Sequence, residues 1–430
     1  MIRTQLVLLL LSLTVVHAPA HADDLTLHVG TLIAVPGEAP LKDRTVLIEG
    51  NRITAILDGF RDPAAGSRLL DLRDAFVLPG LMDVHVHLLF DLDAGARARR
   101  LSDTPTLTAM RGVANARRTL DAGFTTVRDL GGAPESIFAI RDAIAAGLIP
   151  GPRVIAAGSA LAATGGHGDV DGVRADLMAL WTPDSICDGA VDCRRATREA
   201  IKYGADWIKI TATGGVLSDT GTGLGVQMTD DELAEIVRTA HGLGVKVAAH
   251  AHGTDGIDAA LAAGVDSIDH GTFLDEGSVD LFLEQDAWLV PTLMPGHYVP
   301  LAMADNPFYT DAIKAKANTA AEASKRNFAL AARSGVKIAF GTDTGVTPHG
   351  DNAKEFALMV AAGMTPAEAL RSATVMSARM LGMEDRLGTI EAGKLADLVV
   401  VGEDPLTDVT ALERIAAVIR DGKVVLRAAP

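Results

Sequence analysis

From about residue 200 onward the apolar and polar positions repeat one unit: a short β-rich apolar run, a polar loop, then an amphipathic stretch of helical period. Ala205–Ile210 leads into a helix opened by Thr229 with Glu232 three residues on, a capping box in which each side chain satisfies an orphan backbone N–H. That helix stops near Gly242 and Gly244. Val245–His250, a helix over 255–263, Val265–His270, a helix over 277–286 and Trp288–Thr292 continue the alternation. A long helical stretch over 309–334 precedes Val336–Asp343, and a second capping box, Thr365 with Glu368, opens the next helix. Upstream, Phe76–Val84, Thr125–Asp129 and Arg153–Ala157 bring the series to eight strands. Eight alternating units predict an α/β fold, a (β/α)8 TIM barrel.

The flanks follow another pattern. Leu25–Val35, Thr45–Glu49 and Arg52–Leu57 carry a hairpin turn at Gly50-Asn51, while Asp397–Val401 is followed by Ala417–Leu426, which is broken by a turn at Asp421-Gly422. Without long helices between these runs, the economical arrangement is a small composite β-sandwich from residues 23–78 and 384–430, with the barrel inserted over 79–383.

Composition fits one large body and a smaller one. The 430 residues are 48% apolar, enough for a sizeable core, and two cysteines exclude a disulfide-built scaffold. A formal charge of −16 with no basic block argues against nucleic acid as a partner. Residues 1–22 carry Arg3, the apolar run Leu6 to Val16 and then Ala20-His21-Ala22, the pattern of a secretory signal cleaved after Ala22. The apolar run is too short to span a hydrocarbon core of ~30 Å. A periplasmic or secreted destination makes a Cys187–Cys193 bridge the expected state, with two unpaired thiols as the alternative.

Candidate chemistry sits where barrel strands end. His85-Val86-His87 follows the first run, and period-two spacing turns both imidazoles to one side. Lys209 lies between apolar neighbours in Trp207-Ile208-Lys209-Ile210, which suits either a snorkelling lysine or a desolvated amine that takes up CO2 as a bridging carbamate. His250, His270 and Asp343 end later strands, and a buried carboxylate at the last one needs a partner. Spacing leaves His250 and His252 exchangeable; the apolar run-up favours His250 as metal ligand and His252 as a substrate contact.

Several segments resemble the amidohydrolase superfamily: Pro79-Gly80-Leu81-Met82-Asp83-Val84-His85-Val86-His87, the Lys209 strand, Ala249-His250-Ala251-His252-Gly253, Asp269-His270-Gly271, Gly341-Thr342-Asp343-Thr344 and Gly388-Thr389-Ile390-Glu391-Ala392-Gly393-Lys394-Leu395-Ala396-Asp397. Thr164-Gly165-Gly166-His167-Gly168-Asp169 and Thr213-Gly214-Gly215-Val216 resemble its imidazolonepropionase-related, prolidase-like carboxypeptidases, a branch that includes enzymes hydrolysing ochratoxin A. The resemblance implies two divalent cations, zinc foremost, with His85, His87 and Asp343 on the more buried one and His250 and His270 on the other. It also implies an N6-carboxylysine at Lys209 bridging both, and Asp343 as the proton-transferring group. His167, His252 and, more weakly, His297 are implied as substrate contacts. Near Gln227, where peptidase members carry a tyrosine for the substrate carboxylate, this chain has Met228, a departure that points to a more apolar substrate. The expected substrates are dipeptides or N-acyl amino acids, and the expected assembly is a homo-oligomer, up to an octamer. Lactonase or deaminase chemistry on the same metals is the alternative. A non-enzymatic binding protein predicts eroded ligands, whereas all six are present.

Overall fold

The computed structural model describes residues 24–63, 66–170, 174, 176, 178, 183–218 and 223–427; the expected export signal over 1–22 lies outside the described residues. Four strands come from the N-terminal end: β1 (Leu25–Leu32), β2 (Leu41–Glu49), β3 (Arg52–Asp58) and β4 (Arg68–Pro79). Eight follow in the middle: β5 (Leu81–Val86), β6 (Phe124–Asp129), β7 (Arg153–Ala156), β8 (Trp207–Thr211), β9 (Lys246–Ala251), β10 (Ser267–His270), β11 (Trp288–Val290) and β12 (Lys337–Ile338). The last three are β13 (Leu398–Val401), β14 (Ile415–Arg420) and β15 (Lys423–Arg427).

Both ends of the chain meet in one seven-stranded sheet of order β15-β14-β13-β4-β1-β2-β3. The long strand β4 is the joint, pairing parallel with β1 and antiparallel with β13. Both expected hairpins form, β2 with β3 and β14 with β15. Their turns touch, since a Cβ on Gly422 would lie 2.0 Å from the Gly50 carbonyl oxygen, and Gly422 itself has φ of +75°. Only glycine satisfies both conditions.

The expected run Phe76–Val84 divides at Gly80. Residues to Pro79 belong to the terminal sheet, whereas Leu81 onward begins the central set. Gly80 N–H donates to Asp397 O at 2.8 Å, and a Cβ there would sit 2.2 Å from Thr125 Oγ1, so the chain crosses between the bodies at close quarters.

Strands β5-β6-β7 form one parallel sheet and β12-β11-β10-β9-β8 another. A parallel bridge Leu161–Ile210 ties the segment after β7 to β8, and a bridge Val86–Thr344 ties β5 to the segment after β12. Val84 N–H donates to Phe340 O at 2.9 Å and Asp343 N–H to His85 O at 2.8 Å across that second seam. The expected strand Val336–Asp343 therefore shortens to Lys337–Ile338, and its last residues run as irregular backbone against β5.

Helices follow the central strands, from Pro105–Asp121 after β5 to Lys354–Ala361 after β12. Both capping boxes form, on the helices Asp230–Gly242 and Pro366–Arg371. Apolar helix faces and strand residues share one core that includes Ile208, Val247, Ile268, Leu289, Phe340 and Phe356. Burial of each such side chain contributes roughly 1.5–3 kcal/mol. Cys187 and Cys193 are bonded and buried, pinning the loop before the helix Gly189–Lys202. No helix among the described residues is long and apolar enough to cross a membrane.

Candidate metal centre

β5 delivers His85 at its end and His87 just beyond it, and the segment after β12 brings Asp343 against them. Asp343 Oδ1 lies 3.4 Å from His85 Nε2 and 3.2 Å from His87 Nε2, and the two nitrogens are 3.4 Å apart. The His87 tautomer follows from its other nitrogen: Nδ1 faces Gly131 O at 3.1 Å, a carbonyl can only accept, so Nδ1 carries the proton. In the neutral ring this leaves the Nε2 lone pair facing a carboxylate oxygen, an approach that a cation between the two would favour. Asp343 Oδ1 is buried and has no hydrogen-bond partner among the described residues. Acceptors converging without a donor are the donor set of a cation.

A second group lies beside it. His250 and His252 come from the end of β9, His270 from the end of β10, and the ring centroids of His250 and His270 are 4.6 Å apart. In this group and in the first, one nitrogen or oxygen from each residue lies within 4.8 Å of the others. Hydroxyls hold the rings: His270 Nδ1 bonds Thr292 Oγ1 at 2.6 Å and His252 Nδ1 bonds Thr272 Oγ1 at 2.7 Å. His250 Nε2 is buried without a hydrogen-bond partner among the described residues. The His85 and His270 rings stand 5.1 Å apart, which places the two groups side by side.

Strain marks the same positions. His270, Asp343 and Thr292 have φ of +74°, +58° and +44°, a region that non-glycine residues seldom occupy. The left-handed turn at His270 also explains a residue that alternation hides. Neighbours on a strand face opposite sides, yet Asp269 joins the site together with His270. Its Oδ2 accepts from Lys209 Nζ, while Oδ1 lies 3.2 Å from Arg128 Nη2 and 3.3 Å from His85 Nδ1. Arg128 is likewise inside: fully buried on β6, it donates from Nε to Val84 O at 2.6 Å and stacks 4.5 Å over the Trp207 ring. The Asp269-His270-Gly271 motif held the signal for Asp269; nothing in Phe124–Asp129 distinguished Arg128 from an ordinary strand cation.

Electrostatics follow burial. Desolvation lowers the Lys209 pKa, although Asp269 beside it opposes the shift. Desolvation also lowers His250 and His270 well below the ordinary histidine value, assisted by neighbouring imidazoles. His252 falls to about 3 and His167 to about 4 for the same first reason. For Asp343, desolvation would raise the pKa, but His85 and His87 outweigh it and the carboxyl lies well below its ordinary range.

The structure brings His85, His87, Lys209, His250, His270, Asp343, His252 and His167 to one cavity of about 1330 Å³. His252 is not set apart from His250; it belongs to the second group and stacks on His270 at 4.8 Å. The His167 ring lies 4.3 Å from that of His250, with Nδ1 bonded to Ser218 Oγ at 2.6 Å. His297 is a correction: the expected loop after β11 is the helix Leu293–Ala302, which turns His297 outward to solvent while Pro295 and Gly296 line the cavity. Met228 is buried in the apolar core and does not line the cavity, whereas the preceding Gln227 accepts from His167 N–H at 2.8 Å.

Comparison with known proteins places this geometry. A model of the Amidohydrolase family matches residues 76–425. Ochratoxinase from Aspergillus niger is 32% identical over 415 residues, covering 91% of this chain and 84% of that protein. A solved Xaa-Pro dipeptidase with methionine bound in its active site superimposes with a TM-score of 0.90 at 40% identity, over 93% of this chain and 99% of that one. A prolidase solved with N-methylphosphonate-L-proline gives 0.86 at 32% identity, over 94% and 100%.

Proposed function

The chain belongs to the Amidohydrolase family, as a metal-dependent hydrolase of amide bonds, and we propose that it releases the C-terminal amino acid from dipeptides or N-acyl amino acids. Aromatic amides of the ochratoxin A type fall within that class. The observation that carries this reading is the pair of convergent donor groups beside Lys209 on the floor of one cavity. The likeness to an ochratoxinase and to a Xaa-Pro dipeptidase supports amides bearing an amino acid as the substrate class.

In this reading His85, His87 and Asp343 hold one divalent cation, His250 and His270 a second, and zinc suits the imidazole-rich set. Lys209, whose amine burial pushes below its ordinary pKa against the opposing pull of Asp269, would be the residue to form an N6-carboxylysine serving as a further ligand. When bound, such ions acidify water and polarise the scissile carbonyl. Asp343 accepts the proton of the attacking water and returns it to the leaving nitrogen. His167 and His252, held neutral by burial and anchored through Nδ1, present Nε2 to the substrate.

The same proposal takes the two parallel sheets as one closed (β/α)8 barrel over 79–383. Its support is the pair of seams at Leu161–Ile210 and Val86–Thr344. The terminal sheet is taken as a composite β-sandwich, supported by a single apolar cluster that draws on Leu27, Val46, Ile53, Val77, Leu398 and Ile419. Export directed by residues 1–22 and assembly into homo-oligomers belong to it as well.

The test is a turnover screen of the zinc-loaded protein on dipeptides, N-acyl amino acids including ochratoxin A, lactones and aminated heterocycles. Amide cleavage with close to two metal ions per chain is expected. Turnover of lactones or aminated rings alone, or full activity after metal removal, would reject the reading.

A further inference from the structure

Outside the donor groups, one fully buried carboxyl has no part in the chemistry above. Glu355 lies on the helix Lys354–Ala361, fully enclosed, and both its oxygens face the start of the helix Leu293–Ala302. Leu293 N–H donates to Oε1 at 2.7 Å and Met294 N–H to Oε2 at 2.8 Å. These are the first two N–H groups of that helix, which have no partner within it; a capping side chain on the preceding residue ordinarily satisfies one N–H of this first turn, at the second or third position. Here the preceding residue is Thr292, and its hydroxyl makes no cap; it bonds His270 Nδ1 at 2.6 Å instead. The Thr292 backbone is left-handed there, at φ of +44°.

We propose that Glu355 is the positioning residue of the second donor group: by capping the helix in place of Thr292, it fixes the strained Thr292 and frees that hydroxyl to orient His270. The proposal rests on the reading of His270 as a metal ligand. The first donor group has its own support from the same segment. Asn352, three residues earlier, donates from Nδ2 to Asp83 Oδ2 at 2.8 Å, and Asp83 Oδ1 accepts from His85 N–H at 3.2 Å. Loss of Glu355 should therefore loosen one group and spare the other.

Glutamine keeps the length of the side chain but offers one acceptor oxygen where two N–H groups need two. The experiment is a chelator titration of the zinc-loaded chain, with zinc retained per chain as the readout. Wild type is expected to release its two equivalents at a common high chelator concentration. E355Q should release one of them at roughly 10–100-fold lower chelator, the range for loss of an outer hydrogen-bond partner of a ligand. T292V should release the same equivalent, and the double variant should add little, because both act on His270 along one path. E355D, which keeps both oxygens, should lie nearer wild type than E355Q, and T292V decides the matter should E355Q not fold. A folded E355Q or T292V that holds both equivalents as wild type does, or that loosens both together, overturns the proposal. Wild-type protein that never holds two ions would instead overturn the metal reading on which it rests.

Discussion

At the scale of single residues, the site depends on side chains aimed by a second atom. Asp343 Oδ1 sits between the Nε2 atoms of His85 and His87, at 3.4 and 3.2 Å. Asp343→Asn removes the charge and the proton acceptor together while keeping the shape. Turnover should fall on the order of 10²–10⁴-fold, the usual share of a positioned acid–base group; kcat measured alongside metal content checks it. Gly215 is a subtler case. A Cβ there would meet the His167 ring at 2.1 to 2.5 Å, so Gly215→Ala must push that imidazole aside. Displacement of about 1 Å can cost ~10²-fold, and kcat/KM is expected to drop by that order with zinc content unchanged. Retained kcat/KM would show that His167 does not meet substrate. Ligand-type residues at strand ends were legible because period-two spacing and abrupt polarity after an apolar run are local signals. Arg128 was not, and Asp269 showed only as part of the Asp269-His270-Gly271 motif without its role, since both act through a left-handed turn at His270 and contacts across the strands. His297 was misplaced for the converse reason: a Pro-Gly sequence that looks like a loop is carried here as the first turn of a helix.

Among the elements, local chemistry was again the readable part. Capping boxes at Thr229 and Thr365 mark helix starts because donor and acceptor lie within four residues. The break at Gly80 and the shortening of β12 were hidden, as each is imposed by a partner distant in sequence, Asp397 in one case and β5 in the other. The helix Leu293–Ala302 has a cap from 62 residues away, which no window of sequence reveals. That cap carries a pH dependence. Desolvation pushes the Glu355 carboxyl up to about 8, against the pull of the Leu293 and Met294 N–H groups. A folded pKa above the ordinary 4.5 means that the native state binds this proton more tightly than the unfolded chain. Its contribution to stability is therefore complete below pH ~4.5 and is lost as the pH rises towards ~8. Denaturant unfolding across that window should show a decline with pH in wild type that is shallower in E355Q. Equal slopes would remove Glu355 from the account.

For the whole molecule, the terminal sheet and the central strands are joined by more than the chain crossing at Gly80. Arg153, at the start of β7, donates from Nη1 to Asp397 at 2.9 Å and from Nη2 to Asp421 at 2.8 Å, both in the C-terminal part of the sheet. Nη1 also reaches Thr126 Oγ1 on β6 at 3.1 Å, so one guanidinium spans both bodies. The Asp397 side chain is only 2% exposed, and Asp421 N–H donates to its other oxygen at 2.8 Å. Enclosure decides the size of the effect: exposed pairs are worth little, whereas removing one partner of a buried pair leaves a charge in a poorly solvating place. Arg153→Met keeps the apolar stem but leaves Asp397 without its cation. Unfolding free energy should fall by about 3–5 kcal/mol, with the midpoint of denaturant unfolding as the measure. Zinc bound per folded chain should stay unchanged, because Arg153 lies at the opposite end of its strand from the donor groups. A loss under ~1 kcal/mol would mean that water reaches Asp397 and that the two bodies are held by apolar contact alone.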